Sequence, residues 1–187
     1  MYEQIEVTIK GVSPLLMHNG QMVNPLNPIV KQLKEVTKKR NKTDDDMARM
    51  SELEWYGGIY VDENDCPVIP GEMLEAVLIN GAKKRKMGPK AKAGIICDGN
   101  FKIKYKGPKK ASSLFDNKNF VDVRKVNVQR SSIMRTRPIF KDWELTFTVN
   151  YLPSQLDMED VLQFIDIAGV EVGIGDYRPK FGRYERV

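Results

Sequence analysis

Ile5, Val7 and Ile9 alternate with Glu6, Thr8 and Lys10, the period of two that marks a strand with one buried face. Residues 11 to 25 read as a long loop. Asn27 and Pro28 then stand as N-cap and first helical residue ahead of Ile29, Val30, Leu33 and Val36 at helical spacing. Lys38, Lys39 and Arg40 close this helix, where positive charge complements its dipole. Thr43, with Asp46 three residues on, marks a second N-cap, and Met47, Met50 and Leu53 follow until Gly57 and Gly58 stop the run. A short strand is predicted over Ile59 to Val61.

Val68-Ile69-Pro70-Gly71 reads as a turn into a helix whose apolar stripe is Met73, Leu74, Val77 and Leu78, ending in Lys83-Lys84-Arg85-Lys86. Met87 to Lys90 reads as a turn. Ile95 to Cys97, and then Phe101, Ile103 and Tyr105, read as strands, the second carrying Lys102, Lys104 and Lys106 on its opposite face. Val121 to Phe140 reads as an extended hairpin with Arg130-Ser131-Ser132 near its tip and Pro138 ending it. The clearest strand puts Trp143, Leu145, Phe147, Val149 and Tyr151 on one face and Glu144, Thr146, Thr148 and Asn150 on the other. Asp157 with Asp160 caps a helix bearing Val161, Leu162, Ile165 and Ala168, and a glycine-rich tail runs from Gly173 to Tyr184. This order folds as a βαββαβ unit with extra helices and an inserted β-hairpin: an α+β, RRM-like or ferredoxin-like single domain over residues 1–187. The helices cover one face of such a sheet, and the other is the face such domains offer to single strands.

Charge changes this picture more than composition does. From Lys83 to Lys141 there are 18 Lys and Arg against three acids, a local charge of +15, while the remainder carries −10 and the whole chain +5. A segment that basic is either solvated or offset by a polyanion, and the acidic remainder would be kept away from that polyanion. Lys83, Lys84, Arg85, Lys86, Lys90 and Lys92 are the leading candidates to displace condensed counterions, a source of affinity that is indifferent to sequence. Tyr105, Phe115, Phe120, Tyr177, Phe181 and Tyr184 could add stacking, or serve as core. No Arg- and Asn-bearing recognition helix presents itself, which disfavours base-specific reading of a duplex.

Other chemistry is thinly represented. Two cysteines, Cys66 and Cys97, have no Cys or His clustered near them, so neither zinc nor a disulfide framework is expected, and a reducing compartment fits. The chain opens on Tyr2-Glu3-Gln4-Ile5 with no basic head or apolar run, and no stretch approaches the ~18 apolar residues of a membrane span, so a cytoplasmic protein is expected. Gly173-Ile174-Gly175 begins like a dinucleotide fingerprint, but Arg178 occupies the third glycine's place and a helix precedes it. Asp44-Asp45-Asp46 sits at a helix start and reads as capping rather than as a metal site. His18 is the lone histidine; it could act as a general base, or Met17-His18-Asn19 could be a packing loop, which the lack of a titrating partner nearby in sequence favours. No cofactor is expected.

Three stretches together resemble the RAMP superfamily, the RRM-fold backbone proteins of CRISPR effector complexes and related RNA-processing nucleases. They are the first strand running into Gly11-Val12-Ser13-Pro14-Leu15-Leu16, the segment Ile69-Pro70-Gly71-Glu72-Met73-Leu74-Glu75-Ala76, and the glycine-rich Gly173 to Tyr184. Glu72 and Glu75 depart from the small or basic residues the family favours there, and the chain is short for a backbone subunit, which implies a compact, phage-encoded relative in the host cytoplasm. The resemblance implies a palm and a hairpin thumb, with copies stacked as a homo-oligomer along single-stranded DNA or RNA. It also implies that Arg124, Lys125, Arg130, Arg135 and Arg137 meet the strand or a neighbouring protomer, and that Arg178, Lys180 and Arg183 lie near the glycine-rich loop. Arg135 and Arg137 project from the same face of a strand about 6–7 Å apart, a spacing suited to clamping consecutive phosphates, unless acids such as Asp122 pair with them. The alternatives are an assembling or CRISPR-mimicking protein that binds no nucleic acid, and a metal-independent ribonuclease that uses His18.

Overall fold

A computed structural model describes residues 1–128 and 131–187; Arg130, at the predicted hairpin tip, lies outside the described residues. The elements run β1 (Glu3–Gly11), β2 (Leu15–Leu16), α1 (Pro28–Thr37), α2 (Asp44–Gly58), β3 (Val68–Pro70), α3 (Gly71–Lys84), α4 (Gly88–Gly94), β4 (Ile95–Ile96) and β5 (Asn100–Lys104). They continue with β6 (Val121–Val128), β7 (Ser131–Phe140), β8 (Glu144–Tyr151), α5 (Met158–Glu171) and β9 (Tyr184–Arg186).

The main sheet has the order β3-β5-β8-β1-β9, with β4 also pairing β8. Every pairing is antiparallel. Taking β1, β5, β8 and β9 as the four core strands and α3 and α5 as the two helices gives the ferredoxin-like arrangement the hydrophobic pattern predicts. The β1–β8 register places Ile5 opposite Val149, Val7 opposite Phe147 and Ile9 opposite Leu145. These pairs share one face, and α3 and α5 close over it with Leu74, Val77, Leu78, Val161, Phe164 and Ile165, all buried. The two helices approach closely because Gly81 has no side chain; a Cβ there would stand 2.5 Å from the Phe164 carbonyl oxygen. Both expected capping boxes form, at Thr43 with Asp46 and at Asp157 with Asp160, each satisfying two backbone donors that the helix itself leaves open.

A second, three-stranded sheet, β2-β7-β6, carries the hairpin. Here α2 lies along β7: the Glu54 carboxylate accepts the Thr136 backbone N–H at 2.9 Å, and Ser51 shares a hydrogen bond with the buried Thr136 hydroxyl. Trp55 anchors α2 beneath the hairpin base, donating its indole N–H to the Phe120 carbonyl.

Five local expectations are corrected. Val68 to Pro70 is not a turn but an edge strand paired with β5, a place where proline's missing donor costs no ladder bond. Ile59 to Val61 forms no strand, only the single bridge from Val61 to Pro67. Met87 to Lys90 opens α4, because Pro89 sits in a first turn, where an N–H would go unused. Residues 11–25 include β2 and a 3₁₀ turn over Gly20–Val23, and β7 continues past Pro138 to Phe140 because β2 pairs with its end.

Candidate nucleic-acid interface

The uncovered face of the main sheet is the first place to look, and it is poor in what a strand needs. Gln4 bonds Asn150, Thr8 bonds Thr146, and Lys104 pairs with Glu144 at 2.6 Å. The register sets Lys10 opposite both Glu144 and Glu185, so its cations alternate with anions across the strands. No aromatic side chain of β1, β5 or β8 stands on this face. It offers no excess positive charge, and its one exposed aromatic neighbour among the described residues is Tyr2, just ahead of β1.

The hairpin arginines are engaged within the chain. Arg135 and Arg137 do share a face, as their spacing requires, but that face turns inward. Arg135 meets Glu54 at 2.7 Å, Arg137 meets Asp176 at 3.2 Å with only 11 % of its side chain exposed, and Arg124 forms a two-pronged bond with Asp122. Three guanidinium groups thus meet three carboxylates, the internal pairing that stands as the alternative to phosphate clamps. The expected cross-hairpin partner Asp122 serves Arg124 instead. Arg124 also lies 4.5 Å from the Phe181 ring centre and 5.6 Å from that of Tyr177. Its bond to Asp122 raises its already high pKa. Among the arginines and lysines of the hairpin, Lys125 is the exposed one within the described residues.

His18 joins this cluster, a neighbourhood the linear spacing could not show. Burial of the imidazole is the main cause of a lowered pKa; Arg137 and Arg135 lower it further, while Asp176 and Glu54 oppose them. Cys97 is buried and its thiol is pushed up to about 12 by that burial, so it is no thiolate nucleophile. Among the described residues no three His, Cys, Asp or Glu side chains gather to hold a metal, and no helix is long and apolar enough to cross a membrane.

The remaining predicted cations are brought together by the tertiary fold. Two adjoining clefts, of about 540 and 450 Å³, meet at Asn80 on α3. One is floored by Ala76, Ile79 and Pro89 and edged by Lys83 and Lys92; the other is lined by Tyr177, Arg178 and Pro179 of the glycine-rich loop, with Glu171 and Asp176. The two acids are answered from outside the groove, Glu171 by Lys84 at 3.2 Å and Asp176 by Arg137. Lys83 donates to the neutral Asn80, and Arg178 makes only a long bond to the Gly173 carbonyl. Lys83, Lys92 and Arg178 are thus without an acidic partner among the described residues, and the groove is net positive. Arg85, Lys86 and Lys90 stand exposed beside one end, and Lys180 and Arg183 are exposed on the loop at the other.

A second basic pocket was not anticipated. Lys10, Lys104, Lys106 and Lys109 surround about 530 Å³ at the end of the main sheet, with Asp142 and Glu144 among them. The run Lys102 to Lys110 is visible in the sequence, but nothing in it shows that Lys10, about a hundred residues away, closes the same space. Of the aromatic candidates, Tyr105, Phe120, Phe181 and Tyr184 are buried and Phe115 is half-buried against Trp55 and Tyr56; Tyr177 remains exposed.

No protein-family model matches the chain, and no curated protein is similar to it. Among solved structures, the fold is similar to that of a chain in a cryo-EM structure of the Type III-B Cmr-beta bound to cognate target RNA, with a TM-score of 0.53 and 12 % sequence identity. The likeness takes in 100 % of this chain and 59 % of the other, so this chain spans less than two thirds of that neighbour's length.

Proposed function

We propose that the protein binds single-stranded nucleic acid along its sugar–phosphate backbone, without catalysing a reaction, in the groove that runs from α4 past Asn80 to the glycine-rich loop. The observation that carries this reading is the placement of Lys83, Lys92 and Arg178, from three separate elements, around two clefts that share Asn80 and whose acids pair with residues outside them. The fold likeness to a chain of a target-RNA-bound assembly supports it, as does the RAMP-like distribution of motifs. The protein acts in this reading as a homo-oligomer along the strand. The outward face of the hairpin, with Val123, Lys125 and Met134 exposed, is the surface available to a neighbouring copy.

Replacing Lys83, Lys92 and Arg178 together by Gln should weaken binding of a fluorescein-labelled homopolymeric strand and reduce the slope of log K against log salt by about 2, since each phosphate of a single strand that is no longer neutralised removes ~0.7. An unchanged slope would place the strand elsewhere. One observation favours a second reading, metal-independent strand scission: His18 stands in the neighbourhood of Asp176 and Arg137, with its pKa lowered chiefly by burial. The same incubations, analysed for 2′,3′-cyclic phosphate ends on RNA, decide between the two; such ends, lost in His18→Asn, would establish the nuclease.

A further inference from the structure

The ring of Tyr177 is the feature of the groove that charge does not explain. Its backbone φ is +57°, a left-handed conformation that glycine or asparagine adopts easily and a bulky side chain adopts at a cost. The chain nevertheless places an aromatic there and leaves it 49 % exposed, while Tyr105, Phe120, Phe181 and Tyr184 are each buried to more than nine-tenths. The ring is also held. The Phe181 ring meets it edge-on with centres 5.9 Å apart, and Arg124, itself fixed by Asp122, lies 5.6 Å from its centre. It borders the same cavity as Arg178, so an aromatic surface and a guanidinium without an acidic partner stand side by side at one end of the groove.

We infer that Tyr177 is a stacking platform for one unpaired base, and that the groove therefore takes strands whose bases are free, in preference to duplex. The inference rests on the reading that the groove holds a nucleic-acid backbone. Arg178 engages a phosphate while the adjoining base turns onto the Tyr177 ring. A duplex keeps its bases stacked on one another and cannot use the platform without breaking a pair. Because every base has a π-face, the contact adds affinity without sequence readout, with purines ahead of pyrimidines because they stack over more area.

The test compares two probes of equal length, oligo-dA and a tetrahydrofuran-abasic strand with the same phosphates and no bases. Wild-type protein should bind oligo-dA about tenfold more tightly than the abasic strand. Tyr177→Asn, which suits the left-handed backbone, should lose that advantage, weakening oligo-dA binding far more than abasic binding, whereas Tyr177→Phe should retain it. A strand carrying 2-aminopurine should be quenched on binding by wild type and Tyr177→Phe but not by Tyr177→Asn. Equal weakening of both probes by Tyr177→Asn would overturn the inference by making Tyr177 a support for the loop. Equal affinity of wild type for the two probes would overturn the stacking while leaving the backbone reading intact. Failure of wild type to bind either probe would overturn both.

Discussion

The double substitution Arg135→Ala, Arg137→Ala is expected to lower the free energy of unfolding by about 3 kcal/mol and to reduce the salt slope of strand binding by no more than about 0.7, one phosphate's worth, through the Asp176 charge it uncovers in the groove. The reason is where their partners sit. The Glu54 side chain is only 10 % exposed and holds both Arg135 and the Thr136 backbone N–H, so loss of the guanidinium strands a nearly buried carboxylate on one neutral donor. Asp176 is 34 % exposed and recovers some hydration when Arg137 is removed, which keeps the combined effect below what two fully buried pairs would give. Nε and Nη1 of Arg137 are both buried without a hydrogen-bond partner among the described residues, the 3.2 Å contact with Asp176 being an ion pair outside hydrogen-bond geometry, a cost the wild type already carries and the variant loses. Chemical denaturation measures the first quantity and a salt titration the second. Were these residues phosphate clamps, stability would hold and the slope would drop by about 1.4.

The second large effect belongs to Gly182→Ala, expected to destabilise the protein by about 4 kcal/mol, at the upper end for a single substitution. Gly182 has a φ of +73°, and an added Cβ would fall 1.7 Å from the Ile174 carbonyl oxygen, which is backbone and cannot swing aside. The same residue donates its N–H to the Pro14 carbonyl and accepts the Ile174 N–H, both at 2.8 Å, tying the glycine-rich loop to the segment that follows β1. Displacing it should free Tyr177 and Arg178 from their positions, so strand affinity falls along with thermal stability. Hydrogen exchange at the Ile174 amide would report the loosening directly, and a variant with unchanged melting temperature and exchange would contradict this account of the loop.

Much of the fold was legible because its signals are local and periodic. The alternation in β1 and β8 fixes which residues face the helices, and Thr43 and Asp157 announce their helices through short-range capping. Errors fell where a distant partner decides the outcome. Val68 to Pro70 becomes a strand only because β5 lies beside it, and β2 exists only because β7 does. The site divides in the same way. Local charge density pointed to Lys83 and Lys92, the RAMP-like loop pointed to Arg178, and the fold unites them. The arginine spacing in β7 fits clamping as well as internal pairing, because neither Glu54 nor Asp176 can be placed opposite it from sequence. Nor could spacing reveal that five of the six stacking candidates would turn inward or pack against neighbours, leaving Tyr177 exposed.

The most direct test of the central claim is to map where a strand lies. Photocrosslinking of a homopolymer bearing 4-thiouridine or 4-thiothymidine, followed by peptide mass spectrometry, should mark residues 76–92 of α3 and α4 together with residues 173–183 of the glycine-rich loop. Crosslinks confined to the open face of β1 and β8, or to the pocket around Lys104, Lys106 and Lys109, with none in the groove, would contradict it.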